Sequence, residues 1–490
     1  MTTLTFDSLN PATGEVVGTH PKQGPEAVRE AVGRAERAAV WWAELAPAER
    51  RLRLLDYKAV LTRELRELAA LVHAENGKPA GDATLEIATT IAHVDWAARN
   101  AEKVLRRRRV PTGFMGVNLA ATLEYLPLGV VGVIGPWNYP VFTPMGSIAY
   151  ALAAGNAVVF KPSELTPGVG VRLAELFAES VPEEPVFQTV TGLGETGAAL
   201  ASDPRVGKVA FTGSTATAKR VMAACAENLT PIVAECGGKD AFIVDADADL
   251  PAAADACLWG AMSNAGQTCT GVERVYVVDA VYEPFMRELS ERAARVKAGE
   301  HYGPITMPGQ LDVIRRHIDD ATKSGKVVTG GPGSVRPPYV DPVIVEDVPE
   351  DSPAVREETF GPTVTVRRTR DAREALELAN ASAYGLAGTV FARDRRRAME
   401  LARLMRTGMT AVNSIISFAG VPALPFGGVG DSGFGRIHGA DGLREFARAK
   451  AISRRRFALP GMNLTSFART GDELERLIRI VTFLHGRRKR

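Results

Sequence analysis

A chain of 490 residues that is 46% hydrophobic and 24% charged has the composition of a folded, multi-domain protein, which excludes wholesale disorder. Its net charge of +2 gives the chain as a whole no pull toward nucleic acid or anionic lipid, so a small molecule is the expected partner. Four cysteines, Cys225, Cys236, Cys257 and Cys269, with no Cys-x-x-Cys pair among them, argue against a disulfide framework and against a structural metal, and fit a reducing, cytoplasmic setting. The N-terminus shows no basic start followed by an apolar run, and no apolar stretch reaches the ~18 residues of a membrane span.

Residues 1–24 read as short strands around the turn Asn10-Pro11-Ala12-Thr13-Gly14. From Pro25 to about Leu105 apolar residues recur at helical spacing, beginning with Val28, Val32, Ala35, Ala39 and Trp42. They predict three helices, broken near Pro47 and at Gly77-Lys78-Pro79. Arg106 to Arg109 read as a solvated exit from the last of them. Short apolar runs then alternate with helical segments. Strands are expected at 129–135, 157–161, 186–190, 208–211 and 232–235, and again at 241–244, 274–278, 364–367, 388–391 and 409–413. Strand-helix alternation of this kind predicts an α/β fold of two doubly wound domains, with ligands at the carboxyl ends of the strands.

Several polar clusters fall at those ends. Cys269, in Asn264-Ala265-Gly266-Gln267-Thr268-Cys269-Thr270, sits among small and polar neighbours, as a nucleophile would; a lone cysteine is otherwise a packing residue. Glu235 closes a strand next to Gly237 and Gly238, where a carboxylate suits a general base or a salt bridge to Lys239. Asn138 offers an amide donor for an oxyanion, or simply forms a turn. Gly213-Ser214 leaves a strand and enters a helix, as at a phosphate site, but without the G-x-G-x-x-G spacing. Lys161 and Glu164 stand at a neighbouring strand end, within reach of a ribose. Glu358 and Phe360 share a rigid turn.

Taken in order, Pro136-Trp137-Asn138-Tyr139-Pro140, Lys161-Pro162-Ser163-Glu164, Phe211-Thr212-Gly213-Ser214, Glu235 with Gly237-Gly238-Lys239, Gly266-Gln267-Thr268-Cys269, Glu358-Thr359-Phe360-Gly361-Pro362 and Pro425-Phe426-Gly427-Gly428 resemble the NAD(P)-dependent aldehyde dehydrogenase superfamily from about Asn10 to Phe457. The resemblance implies an oxidoreductase in which Cys269 attacks an aldehyde, Asn138 and the Cys269 backbone hold the oxyanion, and Glu235 activates the water that hydrolyses a thioester. It implies cofactor contacts at Trp137, Lys161, Glu164, Gly213, Ser214, Glu358 and Phe360, and no metal. Glu164 favours NAD, since a carboxylate repels a 2′-phosphate, while Lys161 leaves NADP open. The domains implied are a Rossmann-like cofactor domain (1–109 and 127–237), a catalytic domain (238–435), an oligomerisation arm (110–126 and 446–457) and an extension (458–490). A homodimer or homotetramer follows from the same resemblance.

Three positions depart from the family pattern: Cys236 in place of a leucine, Ala218 in place of a glycine, and Ser147 in place of a lysine tied to proton relay. The resemblance implies a substrate pocket lined by helix residues near Phe142 and Met145 and by the loops before Cys269 and near 415–418, and these positions are largely apolar here, with Ser417 and Thr270 as polar exceptions. They point to a medium- or long-chain, aromatic or terpenoid aldehyde, with succinate semialdehyde as the alternative enzyme reading and a non-catalytic binding protein as the alternative class. In the extension, Thr470-Gly471-Asp472-Glu473 fits a capping box, followed by an apolar face of Leu474, Leu477, Ile478, Val481 and Leu484. This helix is expected to dock on its own subunit or a neighbour, with a membrane surface or the substrate entrance as alternatives.

Overall fold

The apolar runs in the middle of the chain form strands covered on both faces: no residue of Val130–Ile134, Ala157–Lys161 or Asp240–Val244 is exposed. Strands sandwiched between helix layers have no polar face, so valine, isoleucine and alanine fill them without alternation. The computed structural model describes residues 4–459 and 464–486. By contacts it divides into one unit of residues 1–104 with 127–448 and a second of residues 105–126 with 449–490.

The first unit holds two large sheets. In one, Phe187–Thr189, Ala157–Lys161, Val130–Ile134, Val206–Thr212 and Ile232–Glu235 run parallel in that spatial order. The chain starts in the middle, winds one way, then returns to wind the other, so the switch point lies between Val130–Ile134 and Val206–Thr212. Ligands of doubly wound sheets bind at such a crevice. Gly433–Phe434 adds an antiparallel pairing against Glu235 and Ala234, so this late segment joins the first sheet and not the second.

The other sheet has the order Lys326–Thr329, Val343–Glu346, Thr363–Thr369, Val272–Val278, Asp240–Val244, Ala387–Phe391, Met409–Val412, parallel except at its first strand. Lys326–Thr329 and Val343–Glu346 are absent from the sequence reading. Each is only four residues long, too short for a period to show.

The N-terminal region contains four helices where three were expected: Pro25–Glu44, Pro47–Arg63, Leu65–Asn76 and Ala80–Leu105. The extra break is at Glu64, whose backbone (φ −89, ψ 6) ends one helix on the Val60 carbonyl and starts the next. Neither glycine nor proline marks it, so the periodic pattern runs through. The expected break at Gly77 is real: its φ of 87 is left-handed, which suits glycine at a helix C-terminus.

In the second unit, Arg108–Val110 pairs with Leu119–Pro127, which pairs with Ala447–Arg455, giving a three-stranded sheet. Arg106 to Arg109 are exposed as expected, but Arg108 and Arg109 belong to this sheet and not to a helix exit. Arg107 is tied at 3.0 Å to Glu124. The helix of the extension, Gly471–His485, has the expected capping box at Thr470 and Glu473. None of the residues of this helix is buried. No described helix is long and apolar enough to cross a membrane.

Candidate active site

Cys269 follows a loop that the backbone holds in unusual conformations. The helix Leu250–Met262, capped by Asp249, runs into a short turn in which Asn264 (φ 52), Ala265 (φ 57) and Gly266 (φ 70) are all left-handed. Strain of this kind persists only when the surroundings over-determine it. Here they do: the Gln267 side chain donates to the carbonyls of Asn264 (2.9 Å) and Pro304 (3.2 Å) and accepts from the Thr306 backbone at 2.8 Å. A Cβ on Gly266 would overlap the Gly361 carbonyl, so glycine is what lets this loop meet the Glu358–Pro362 turn. Cys269 is thereby kept partly accessible, while Cys225, Cys236 and Cys257 are buried.

Glu235 ends the strand Ile232–Glu235 and is 3% exposed, with neither carboxylate oxygen in hydrogen-bond geometry with a protein group. Burial lifts its carboxyl to about 7; the nearby Cys269 thiol and Thr212 hydroxyl temper the rise. Burial, and then the charge of Glu235, push the Cys269 thiol well above its ordinary value. In the cofactor-free protein the proton therefore rests on the thiol while Glu235 is ionised. The salt bridge offered for Glu235 does not form, because Lys239 pairs instead with Glu273 and with the Thr359 hydroxyl at 3.1 Å. Glu273 also accepts from the backbone of Thr359 (2.9 Å) and Phe360 (3.0 Å), fixing the turn that carries Glu358.

Asn138 lies in the loop after Val130–Ile134, at the switch point of the first sheet. It is 5% exposed, and its Nδ2 donates at 3.0 Å to the Gln267 carbonyl, on the cysteine loop. Its own carbonyl accepts from Asn264 Nδ2 at 3.1 Å and from Lys78 Nζ at 2.8 Å. Lys78 was not singled out by the sequence reading beyond its place in a helix break, and neither was Glu86. Both side chains are fully buried and are joined at 2.6 Å, with the Lys78 ammonium 3.9 Å from the centre of the Tyr139 ring. The other Glu86 oxygen accepts from the backbone of Val141 (2.8 Å) and Phe142 (3.1 Å), at the start of the helix Phe142–Ala153. One buried ion pair thus positions both the Asn138 loop and that helix.

Removing one partner of such a pair leaves an uncompensated buried charge. Lys78→Met is therefore expected to cost about 3–5 kcal/mol of stability, read from the urea midpoint. A loss below about 1 kcal/mol would show that the pair does not hold this loop.

The cofactor candidates gather around the switch point. Ser214 is exposed and caps the helix Thr215–Ala226 through Thr217 N at 3.3 Å, next to Gly213, whose N–H donates to the Glu235 carbonyl at 3.1 Å. Lys161, buried at the end of its strand, reaches the exposed Glu164 at 3.2 Å. Glu358 accepts from Gly238 N at 3.1 Å, and a side chain on Gly237 would collide with its carboxylate. Part of Glu358 stays accessible, yet desolvation, and then Glu273, raise its carboxyl to about 8. Phe360 takes a left-handed φ of 51 and meets Trp137 edge-on at 5.6 Å. A capped helix terminus after Val206–Thr212 and a lysine and carboxylate after Ala157–Lys161, on the two strands that flank Val130–Ile134, fit the phosphates and ribose of a dinucleotide.

A cleft of about 290 Å³ opens onto Cys269. Phe142, Thr270, Ile415, Ile416 and Ser417 line it as expected, and Leu85, Trp259 and Phe426 complete its apolar wall. Met145 does not line it: this side chain is 1% exposed and lies against the Tyr57 hydroxyl at 3.8 Å. Asp82 also faces the cleft, whereas Lys78, the sole basic residue of its wall, is spent on Glu86.

The model of the aldehyde dehydrogenase family matches residues 2–452. This chain belongs to the aldehyde dehydrogenase family. It is 38% identical to the 4,4'-diapolycopene aldehyde oxidase of Methylomonas sp. over 90% of this chain and 84% of that one. It is 34% identical to the glutarate-semialdehyde dehydrogenase of Pseudomonas aeruginosa over 90% and 92%. The crystal structure of lactaldehyde dehydrogenase from Escherichia coli superposes with a TM-score of 0.88 at 31% identity, over 92% of this chain and 96% of that one. The fold is that of the family, and the chain is an oxidoreductase acting on aldehydes with NAD or NADP.

In this aldehyde dehydrogenase the three departures from the family pattern are all buried. Cys236 is 3% exposed, and burial pushes its thiol up to about 12, as suits a packing residue. Ala218 and Ser147 are 3% and 4% exposed.

Proposed function

We propose that this enzyme oxidises apolar aldehydes to carboxylic acids, with Cys269 as nucleophile, Asn138 as oxyanion donor and Glu235 as base. The observation that carries the substrate class is the wall of the cleft: Leu85, Phe142, Trp259, Ile415, Ile416 and Phe426, with no unpaired cation among the described residues and with Asp82 beside them. A semialdehyde carboxylate would lose its hydration there without gaining a counter-ion. The relative named 4,4'-diapolycopene aldehyde oxidase supports the apolar reading, and the one named glutarate-semialdehyde dehydrogenase supports the alternative.

The chemistry follows from the side chains. Glu235 takes the Cys269 proton, and Sγ bonds to the aldehyde carbon, whose oxygen becomes an oxyanion facing the second Asn138 amide hydrogen and the Cys269 backbone N–H. NAD or NADP, which Ser214, Lys161, Glu164 and Glu358 would hold, would supply the acceptor for the hydride that leaves this carbon, leaving a thioester on Cys269. Once that first proton has passed from Glu235 to solvent, Glu235 deprotonates a water that attacks the thioester carbon; the carbon–sulfur bond breaks, the acid departs and the leaving thiolate takes the proton back from Glu235. NAD is the preferred cofactor, because Glu164 would face a 2′-phosphate. The strand Ala447–Arg455, at the edge of its sheet, is the contact we assign to an oligomer.

The test is a substrate panel of hexanal, decanal, benzaldehyde and a long polyene aldehyde against succinate semialdehyde, read as NADH formation. Decanal is expected to exceed succinate semialdehyde by at least ~100-fold in kcat/KM. A faster succinate semialdehyde would overturn the apolar assignment. In the same assay Glu164→Gln should raise kcat/KM with NADP relative to NAD by about tenfold, and an unchanged ratio would remove Glu164 from cofactor choice.

A further inference from the structure

The second unit is set apart by its charge. Residues 105–126 and 449–490 contain fifteen lysines and arginines against four aspartates and glutamates, a net +11 in a chain whose total is only +2. The helix Gly471–His485 belongs to this unit, and its apolar stripe of Leu474, Ile478, Val481 and Leu484 is 40–54% exposed along its whole length. Arg476 and Arg479 lie on the opposite side at helical spacing, together with Asp472 and Glu475, so the positive excess comes from the flanks: Arg469 before the helix and Arg487-Arg488-Lys489-Arg490 at the end of the sequence; Phe467, just before the helix, is fully exposed. All of this lies beyond residue 452, where the match to the family ends.

We infer that this helix docks the protein on anionic lipid surfaces. A helix with one apolar face and basic flanks lies in the plane of a bilayer, its stripe among the acyl chains and the flanking cations among the headgroups. The bilayer meets both features at once. A second copy of the same unit does not, because two surfaces of +11 repel. The main body of a neighbouring copy, net negative but over a far larger surface, is the competing occupant. The inference is independent of the substrate class.

The experiment is co-sedimentation of the full-length protein with phosphatidylcholine vesicles and with vesicles containing about one-third phosphatidylglycerol, at low salt and at about 0.5 M salt. Binding is expected to be at least ~10-fold stronger to the anionic vesicles and to fall at high salt. Ile478→Glu should abolish it while leaving hexanal oxidation unchanged, since Ile478 is exposed and outside the cleft. Truncation after residue 459 should have the same effect. Equal partition onto both vesicle types, no binding, or binding that survives Ile478→Glu would overturn the inference. So would a change of oligomeric state on Ile478→Glu in the absence of lipid, which would assign the stripe to a neighbouring subunit.

Discussion

Cys269→Ala is expected to lower aldehyde oxidation by at least ~10⁴-fold, since no other side chain can form the covalent link to the substrate carbon. The substitution should leave the fold intact. Cys269 is only partly covered, and the loop is held by Gln267 and by the glycine contact at Gly361, neither of which involves the thiol. Stability within about 1 kcal/mol of the parent is therefore the control that makes the loss of rate interpretable. Residual turnover above a hundredth of the parent rate would mean that one of the remaining cysteines, or direct hydride loss from a hydrated aldehyde, carries the reaction. The cofactor-free protein should also react slowly with iodoacetamide at neutral pH, because burial and Glu235 keep the Cys269 thiol protonated.

Glu235→Gln is expected to separate the two halves of the reaction. Without a base for the hydrolytic water, steady turnover should fall by about 10²–10⁴-fold, while a single burst of NADH of up to one equivalent per subunit survives, slowed because Glu235 no longer takes the Cys269 proton but not abolished. A steady rate within threefold of the parent would transfer the role of base elsewhere. The pH dependence carries a definite sign. A base must be ionised, so turnover of the parent should climb as pH rises through about 7 and level off above it. Stability runs the other way. The folded carboxyl titrates above its unfolded value, so its contribution is fully present below the unfolded pKa and is lost as pH rises through about 7. Glutamine escapes that loss. The variant should be more stable than the parent at pH 8, by something on the order of 3 kcal/mol, and equal to it near pH 4. A slower enzyme that is more stable is the mark of a group kept buried for chemistry.

Much of this arrangement is legible in the chain itself. Runs such as Val130–Ile134 and Ala157–Lys161 announce buried strands because apolar composition without alternation suits only a strand covered on both faces. The capping residues Ser214, Asp371, Asp394 and Thr470 announce helix starts because each accepts from backbone N–H groups one turn ahead. Cys269 and Glu235 stood out by their small neighbours at strand and helix ends. The break at Glu64 did not, since neither glycine nor proline marks it, and the strands Lys326–Thr329 and Val343–Glu346, though rich in β-branched residues, are too short for a period to show.

The sequence by itself determined the alternation of elements, the family, and the identity of the groups that can do chemistry, because these depend on residue type, spacing and local backbone preference. Only the tertiary structure decided how those groups are held. Lys78 and Glu86 reach the Asn138 loop from more than fifty residues away. Lys239 turned from Glu235 to Glu273, which leaves Glu235 without a counter-ion and able to titrate near neutrality. Met145 faced the core while Leu85 and Trp259 took the cleft. The physical reason is common to all three: a buried charge takes whichever partner the packed elements bring within reach, and a side chain's burial depends on what packs over it. Neither is written in the neighbouring residues.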